Sequence, residues 1–267
     1  MNIGLICTSF FYLFKNKFIL TSKVSCIVYL LEMTLFKSFY LFFICLHIGF
    51  CELITVAVSS NFIKPMQTIS SKFDGTLRLV YGSSGKLYAQ IINGAPYDLF
   101  FSADQQKPKI LFDKKYTEIK PFTYAIGRLA LYSTNASENT DSQLTLLNDS
   151  SLAIANPKLA PYGRAAIEVL DKIELHRKNY KKLIIGENVS QVFAFVSSGN
   201  ADLGFVALSQ AIHQTDGDYW IVPNHYHKPI RQDAVILKSS KMSHRFIEFI
   251  KSEEIRSLIA SYGYVWD

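Results

Sequence analysis

The 267 residues carry a net charge of +6 from 28 basic and 22 acidic side chains, and 49% are hydrophobic, enough for one large domain or two small lobes. Residues 1–51 hold all four cysteines, four lysines and one acid, so the remainder keeps 24 basic against 21 acidic residues and no thiol. That balance is too mild and too evenly spread for a nucleic-acid groove, and it leaves residues 52–267 without disulfide or thiol chemistry.

Taken in chain order, the first feature is MTLFKSFYLFFICLHIGFC, from Met33 to Cys51. An early Lys37, an apolar run from Ser38 to Phe50 and small residues at Gly49 and Cys51 make residues 33–51 read as a secretory signal cleaved after Cys51. Residues 1–32 read as an upstream extension. Two other readings stay open: acylation of Cys51, against which the bulky Phe50 argues, and an uncleaved membrane anchor, since the segment before Met33 is also apolar.

From residue 52 onward, short apolar runs alternate with helical patterns, the grammar of α/β layers with largely parallel strands. Leu53 to Val58 is a β-branched strand; Ser59-Ser60-Asn61 offers N-cap residues to a helix marked by Phe62, Met66, Ile69 and Phe73. Thr76 to Tyr81 is a second strand. The stretch VYGSSGKLYAQ that follows it looks like half of a phosphate-binding loop, yet the first glycine of a P-loop falls on Val80, and Leu87 stands where Ser or Thr is needed. A nucleophile elbow around Ser84 fails as well, with Gly82 on one side but Lys86 on the other. A helix is expected from Lys86 to Asn93, ended by Gly94 and Pro96, then a strand from Tyr97 to Phe101.

The same alternation returns later. Leu152 to Ala155 reads as a strand, Asn156 to Pro161 as a loop, and Gly163 to Leu175 as a helix. Leu183 to Ile185 reads as a strand, followed by Glu187-Asn188 and a helix ending at Ser198-Gly199-Asn200. Asp202 to Leu208, Tyr219 to Val222 and Ala234 to Leu237 read as strands, and His244 to Ile259 as helical. Four polar strand-to-helix turns therefore fall around Asn61, Ser84, Tyr162 and Val189, where open α/β sheets collect ligands. Helix starts leave N–H groups unpaired and carry about half a positive charge, so several together suit an anion.

The segments VAVSSNFIKPM, YGSSGKLYAQIINGAPYDLFFSADQQ, FTYAIGRLALYS, LAIANPKLAPYGRAA, IGENVSQVFAFVSSGNADLGFVALSQ and the closing YGY together resemble the periplasmic molybdate-binding proteins that feed ABC importers. They span nearly all of residues 52–267 in order. The resemblance implies a two-lobed class II periplasmic-binding-protein fold, each lobe a mostly parallel sheet flanked by helices, with the ligand in the interlobe cleft. It implies one lobe from residues 52–133 plus 223–267 and a second from 134–222. It carries ligand roles onto Ser60 and Asn61, by side chain and backbone N–H; onto Ser84, by hydroxyl and N–H; and onto the backbone N–H of Tyr162 and Val189. Asn61 and Ser84 would meet the metal through molybdate oxygens. Where one branch of the family places a ligand tyrosine, this chain has Ala207.

The resemblance further implies an extracytoplasmic, periplasmic receptor for molybdate and tungstate that docks as a monomer on an ABC permease, with no cofactor, no nucleic acid and no catalysis. The chemistry agrees: molybdate near neutral pH presents acceptors only and needs donors only. A receptor for another tetrahedral oxyanion such as sulfate, or an enzyme on the same fold acting on an anionic metabolite, stay as alternatives. Bland readings compete locally. Ser84 and Asn61 would serve as plain helix caps. Lys86 reads as solvated, Glu187 as outside the ligand's reach, Arg128 and Arg164 as structural or surface cations, and His225 and His227 as loop or surface residues rather than a metal pair.

Overall fold

A computed structural model describes residues 53–134, 150–173 and 182–266, all within one compact unit, Glu52–Asp267. The expected signal at 33–51, the extension before it and most of the polar stretch from Thr134 to Ser151 lie outside the described residues.

The strands are β1 (Leu53–Ser59), β2 (Thr76–Gly82), β3 (Leu99–Phe101), β4 (Phe122–Gly127), β5 (Leu129–Ser133), β6 (Ser151–Ala155), β7 (Lys182–Gly186), β8 (Leu203–Ala207), β9 (Asp218–Ile221) and β10 (Ile230–Ile236). They form two five-stranded sheets, ordered β2-β1-β3-β10-β4 and β7-β6-β8-β5-β9. In the first, β1 runs parallel to β2 and β3, while β10 is antiparallel to both β3 and β4. In the second, β6 runs parallel to β7 and β8, while β5 is antiparallel to both β8 and β9. Each sheet thus has one reversed strand, at its fourth position, and both are wound alike.

The helices are α1 (Ile63–Lys72), preceded by a 3-10 turn at Ser60–Phe62, α2 (Ser84–Ile92), α3 (Gln106–Asp113), α4 (Pro161–Lys172), α5 (Val189–Ser197), α6 (Leu208–Ala211), α7 (Lys241–Lys251) and α8 (Glu253–Ser261). Alternation along β1 explains the layering. Ile54, Val56 and Val58 pack with Phe62, Met66 and Ile69 of the first helical segment and with Phe246, Ile250, Ile255 and Ile259 of α7 and α8. Ala57 points the other way, toward Leu87, Ile91 and Leu111 of α2 and α3. In the second sheet Leu152 and Ile154 join Ala166, Val169 and Leu170 of α4 and Val192 and Val196 of α5 in one core.

Several expectations shift. The terminal helical stretch is two helices, because Ser252 leaves the helical region (φ −62°, ψ 152°) and caps the second by accepting from the Ile255 N–H. The helix expected from Lys86 begins two residues earlier, at Ser84. The chain crosses between sheets at Arg128, so β5, placed with the first lobe by a boundary near 133, pairs in the second sheet. The return crossing lies between Ile221 and Ile230.

Candidate functional site

Four turns leave the C-terminal ends of β1, β2, β6 and β7, and in three of them the local capping leaves one N–H over. At the start of α2 the cap is Ser83: its hydroxyl accepts from Lys86 N–H at 3.3 Å, and Gly85 N–H donates to the Leu159 carbonyl at 2.8 Å. Ser84, the first helical residue, keeps its N–H. The plain-cap role therefore belongs to Ser83. At the start of α5 the Asn188 side chain accepts from Ser190 and Gln191 N–H at 3.0 and 3.1 Å, which leaves Val189. At the start of α4, Pro161 has no N–H and Gly163 donates to Ala160, which leaves Tyr162. At the end of β1, the N–H groups of Ser60 and Asn61 open the 3-10 turn.

Contacts tie these turns into a ring. Ser59 Oγ lies 2.6 Å from Ser84 Oγ, joining the first turn to the second. The Gly85–Leu159 bond joins the second to the third, and the Asn156 N–H donates to the Gly186 carbonyl at 2.7 Å, joining the third to the fourth. Ser190 Oγ donates to the Ser60 carbonyl at 3.0 Å, joining the fourth to the first. A Cβ on Gly85 would stand 2.9 Å from Leu159 Cα and O, so only glycine allows the second lobe so near. All five residues singled out in the sequence sit on this ring, and each is at most 5% exposed.

The Asn61 side chain, expected to face the ligand, makes its contacts within the protein. Both amide protons of Asn61 are spent inside the protein: Nδ2 donates to Gln232 Oε1 at 2.8 Å and to the Tyr264 hydroxyl at 2.9 Å, while Oδ1 is buried without a partner. Gln232, fully buried in β10, also accepts from Tyr124 at 2.9 Å and donates to the Tyr162 hydroxyl at 3.2 Å. Tyr162 thus sets its N–H in the second lobe's turn and anchors its ring tip in the first lobe. Gly127 makes room for that contact, since a Cβ there would collide with the Tyr162 hydroxyl and with Gln232. Burial pushes the phenols of Tyr124, Tyr162 and Tyr264 up from their ordinary value, so all three stay neutral.

Charged groups nearby are committed to one another across the lobes. Lys86, read as solvated, pairs with Glu187 at 2.7 Å, with side chains 52% and 43% exposed. Arg164 pairs with Asp104 at 2.9 Å, and Lys107 holds the same carboxylate at 2.6 Å. Burial pushes the Asp104 carboxyl up, but the Lys107 ammonium and the hydrogen bonds from Lys107 and Arg164 outweigh it and hold it below its ordinary range. Because the Lys86 pair is half in water, Lys86→Ala is expected to change anion affinity by no more than about fivefold. Calorimetric titration checks this; a loss well beyond about tenfold would make Lys86 a ligand.

Ala207 is fully buried and brings no hydroxyl. His227 is buried in its loop, with Nδ1 2.7 Å from the Lys228 carbonyl, and no group of three metal-binding side chains occurs among the described residues. The sequence reading missed Ser59, Gln232 and Tyr264. Ser59 was hidden by its neighbour in the pair Ser59-Ser60, Gln232 by its place in an apolar strand, and Tyr264 was noted only as part of a closing YGY.

Residues 54–265 match the family of bacterial extracellular solute-binding proteins. The chain is 39% identical over 221 residues to the molybdate-binding protein ModA of Rhodobacter capsulatus, covering 79% of this chain and 88% of that one. To the molybdate-binding protein ModA of Azotobacter vinelandii it is 40% identical over 224 residues, covering 79% and 89%. The solved periplasmic molybdate-binding protein of Azotobacter vinelandii matches with a TM-score of 0.74 at 34% identity, covering 80% of this chain and 99% of that chain. The chain belongs to the bacterial extracellular solute-binding protein family, in the group that contains the molybdate-binding ModA proteins.

Proposed function

We propose that the chain captures molybdate, and tungstate with it, in the periplasm, closes its two lobes around the ion and delivers it as a monomer to an ABC permease. The ring of four strand-to-helix turns carries this reading: neighbouring caps use up the adjacent donors and leave the N–H groups of Ser84, Tyr162 and Val189, with those of Ser60 and Asn61 opening the first turn. Donors without acceptors suit a dianion that has no proton to give. Two carboxylates on or beside these turns are already paired, Asp104 with Lys107 and Arg164, Glu187 with Lys86. No cofactor and no general base enters the reading.

Asn61 fits through its main chain directly and through its side chain by a rearrangement. A half-turn of both the Asn61 and Gln232 carboxamides exchanges donor and acceptor at each contact, with Tyr162 and Tyr264 then donating. The cluster stays satisfied, and the Asn61 amide protons take the place of the buried, unpartnered Oδ1. The two chain crossings, at Arg128 and between Ile221 and Ile230, supply the hinge.

The test is titration of the purified protein with molybdate, tungstate, sulfate and phosphate, followed by heat or by the fluorescence of Trp220 and Trp266. Molybdate and tungstate are expected to bind at least about a hundredfold more tightly than the other two. Comparable sulfate affinity would sink the molybdate reading in favour of a general oxyanion receptor. Ser84→Ala is expected to cost about 1.5–3 kcal/mol, or roughly 10- to 150-fold in Kd, as the loss of a hydrogen bond to a charged ligand.

A further inference from the structure

Ser59 is 1% exposed at the end of β1, and its hydroxyl does not cap the helical turn that follows. Its Oγ lies 2.6 Å from Ser84 Oγ, and both oxygens accept from the Ala103 N–H, at 3.0 Å for Ser59 and 2.9 Å for Ser84. These are the contacts of either hydroxyl among the described residues.

A count of protons gives the arrangement a direction. The two hydroxyls own two protons, and one lies in the short contact between them. The Ala103 amide brings its own proton and consumes neither. One hydroxyl proton is therefore left over, on whichever serine accepts in the pair. Ser59 closes a strand ladder opposite Gly82, whereas Ser84 opens helix α2 with its own N–H unspent. An acceptor beside Ser84 takes the hydroxyl and the N–H of one residue together, at a positive helix end.

We propose that Ser59 is a positioning residue: it donates to Ser84 Oγ, commits the Ser84 proton to the bound anion, and does not itself touch the ligand. This rests on the reading of the site as a receptor for a fully deprotonated oxyanion. Ser84 Oγ then accepts two hydrogen bonds, from Ser59 and from Ala103, and an oxygen that accepts donates its own proton more strongly.

The experiment is a double-mutant cycle on the purified protein, with sodium molybdate as the probe and calorimetry as the readout. Wild-type binding is measured first, so that a failure of the receptor reading shows there, before any variant is compared. Ser59→Ala is expected to weaken binding by about three- to tenfold, with the ligand-free melting temperature shifted by only a few degrees, because Ala103 N–H keeps Ser84 as its acceptor. In the Ser84→Ala background the same change is expected to have no further effect on affinity. Ser59→Gly repeats the cycle should the alanine variant fail to fold. Unchanged affinity on loss of the Ser59 hydroxyl overturns the proposal. So do losses that add in the double variant, which would make Ser59 a ligand in its own right.

Discussion

Gly85→Val is expected to weaken molybdate binding by about 100-fold while leaving the ligand-free protein about as stable as before. A Cβ at this position meets Leu159 Cα and O at 2.9 Å, and both belong to the backbone of the other lobe. Backbone cannot swing aside as a side-chain tip does, so the cost falls near the top of the 1–3 kcal/mol range for overpacking, and about 2.7 kcal/mol is a hundredfold in Kd. The Gly85 N–H to Leu159 O bond is lost with it. Valine is a tolerable residue in a helix, and on the reading that the free protein opens, the obstacle arises only when the lobes meet, so the penalty falls on closure. Calorimetric titration gives the affinity, thermal melting gives the stability of the free protein, and small-angle scattering shows whether molybdate still compacts it. Wild-type affinity in the variant would mean that the closed arrangement is not the one that holds the ion.

Gln232→Leu is expected to cost about 2–4 kcal/mol of folding stability and to lower molybdate affinity as well. Leucine fills similar space and offers no polar atom. Tyr124 would still reach the Ser102 carbonyl at 3.1 Å, and Asn61 Nδ2 would still reach Tyr264. The Tyr162 hydroxyl would lose its hydrogen bond with Gln232 and be left to share Asn61 and Tyr264, and a buried polar group left under-satisfied costs about 1–3 kcal/mol. The freed half of the Asn61 amide adds the remainder. Urea unfolding measures the loss, and a change below about 1 kcal/mol would show that the cluster rearranges around the leucine. The affinity loss arises because the same glutamine orients Asn61 and anchors Tyr162, one on each side of the cleft.

Much of this was legible in the residues. β-branched runs such as ITVAV gave β1, and helical spacing gave the stripe of Phe62, Met66 and Ile69 that packs on it. The four turns could be read because Ser, Asn, Gly and Pro mark helix starts by their own chemistry. Local pattern could not give pairing over distance. Strand β10 lies between β3 and β4 although roughly a hundred residues separate it from them, and no periodicity records that. The lobe boundary shifted for the same reason, since Leu129 to Ser133 has the apolar run of either sheet and only its partners β8 and β9 decide. The serines show a finer limit. Ser59 and Ser60 are adjacent and chemically alike, but successive residues at a strand end point to opposite sides. One hydroxyl meets Ser84, and the carbonyl of the other receives Ser190.

The two sheets share one winding order, and each sends out two of the four turns. An ion held between them is therefore half-enclosed by either lobe alone, and enclosure is completed only by bringing the lobes together. On the proposed reading, occupancy and outline become one variable. A membrane partner that touches only the outer surfaces of both lobes could tell a loaded protein from an unloaded one by the spacing between its two footholds, without contacting the cargo.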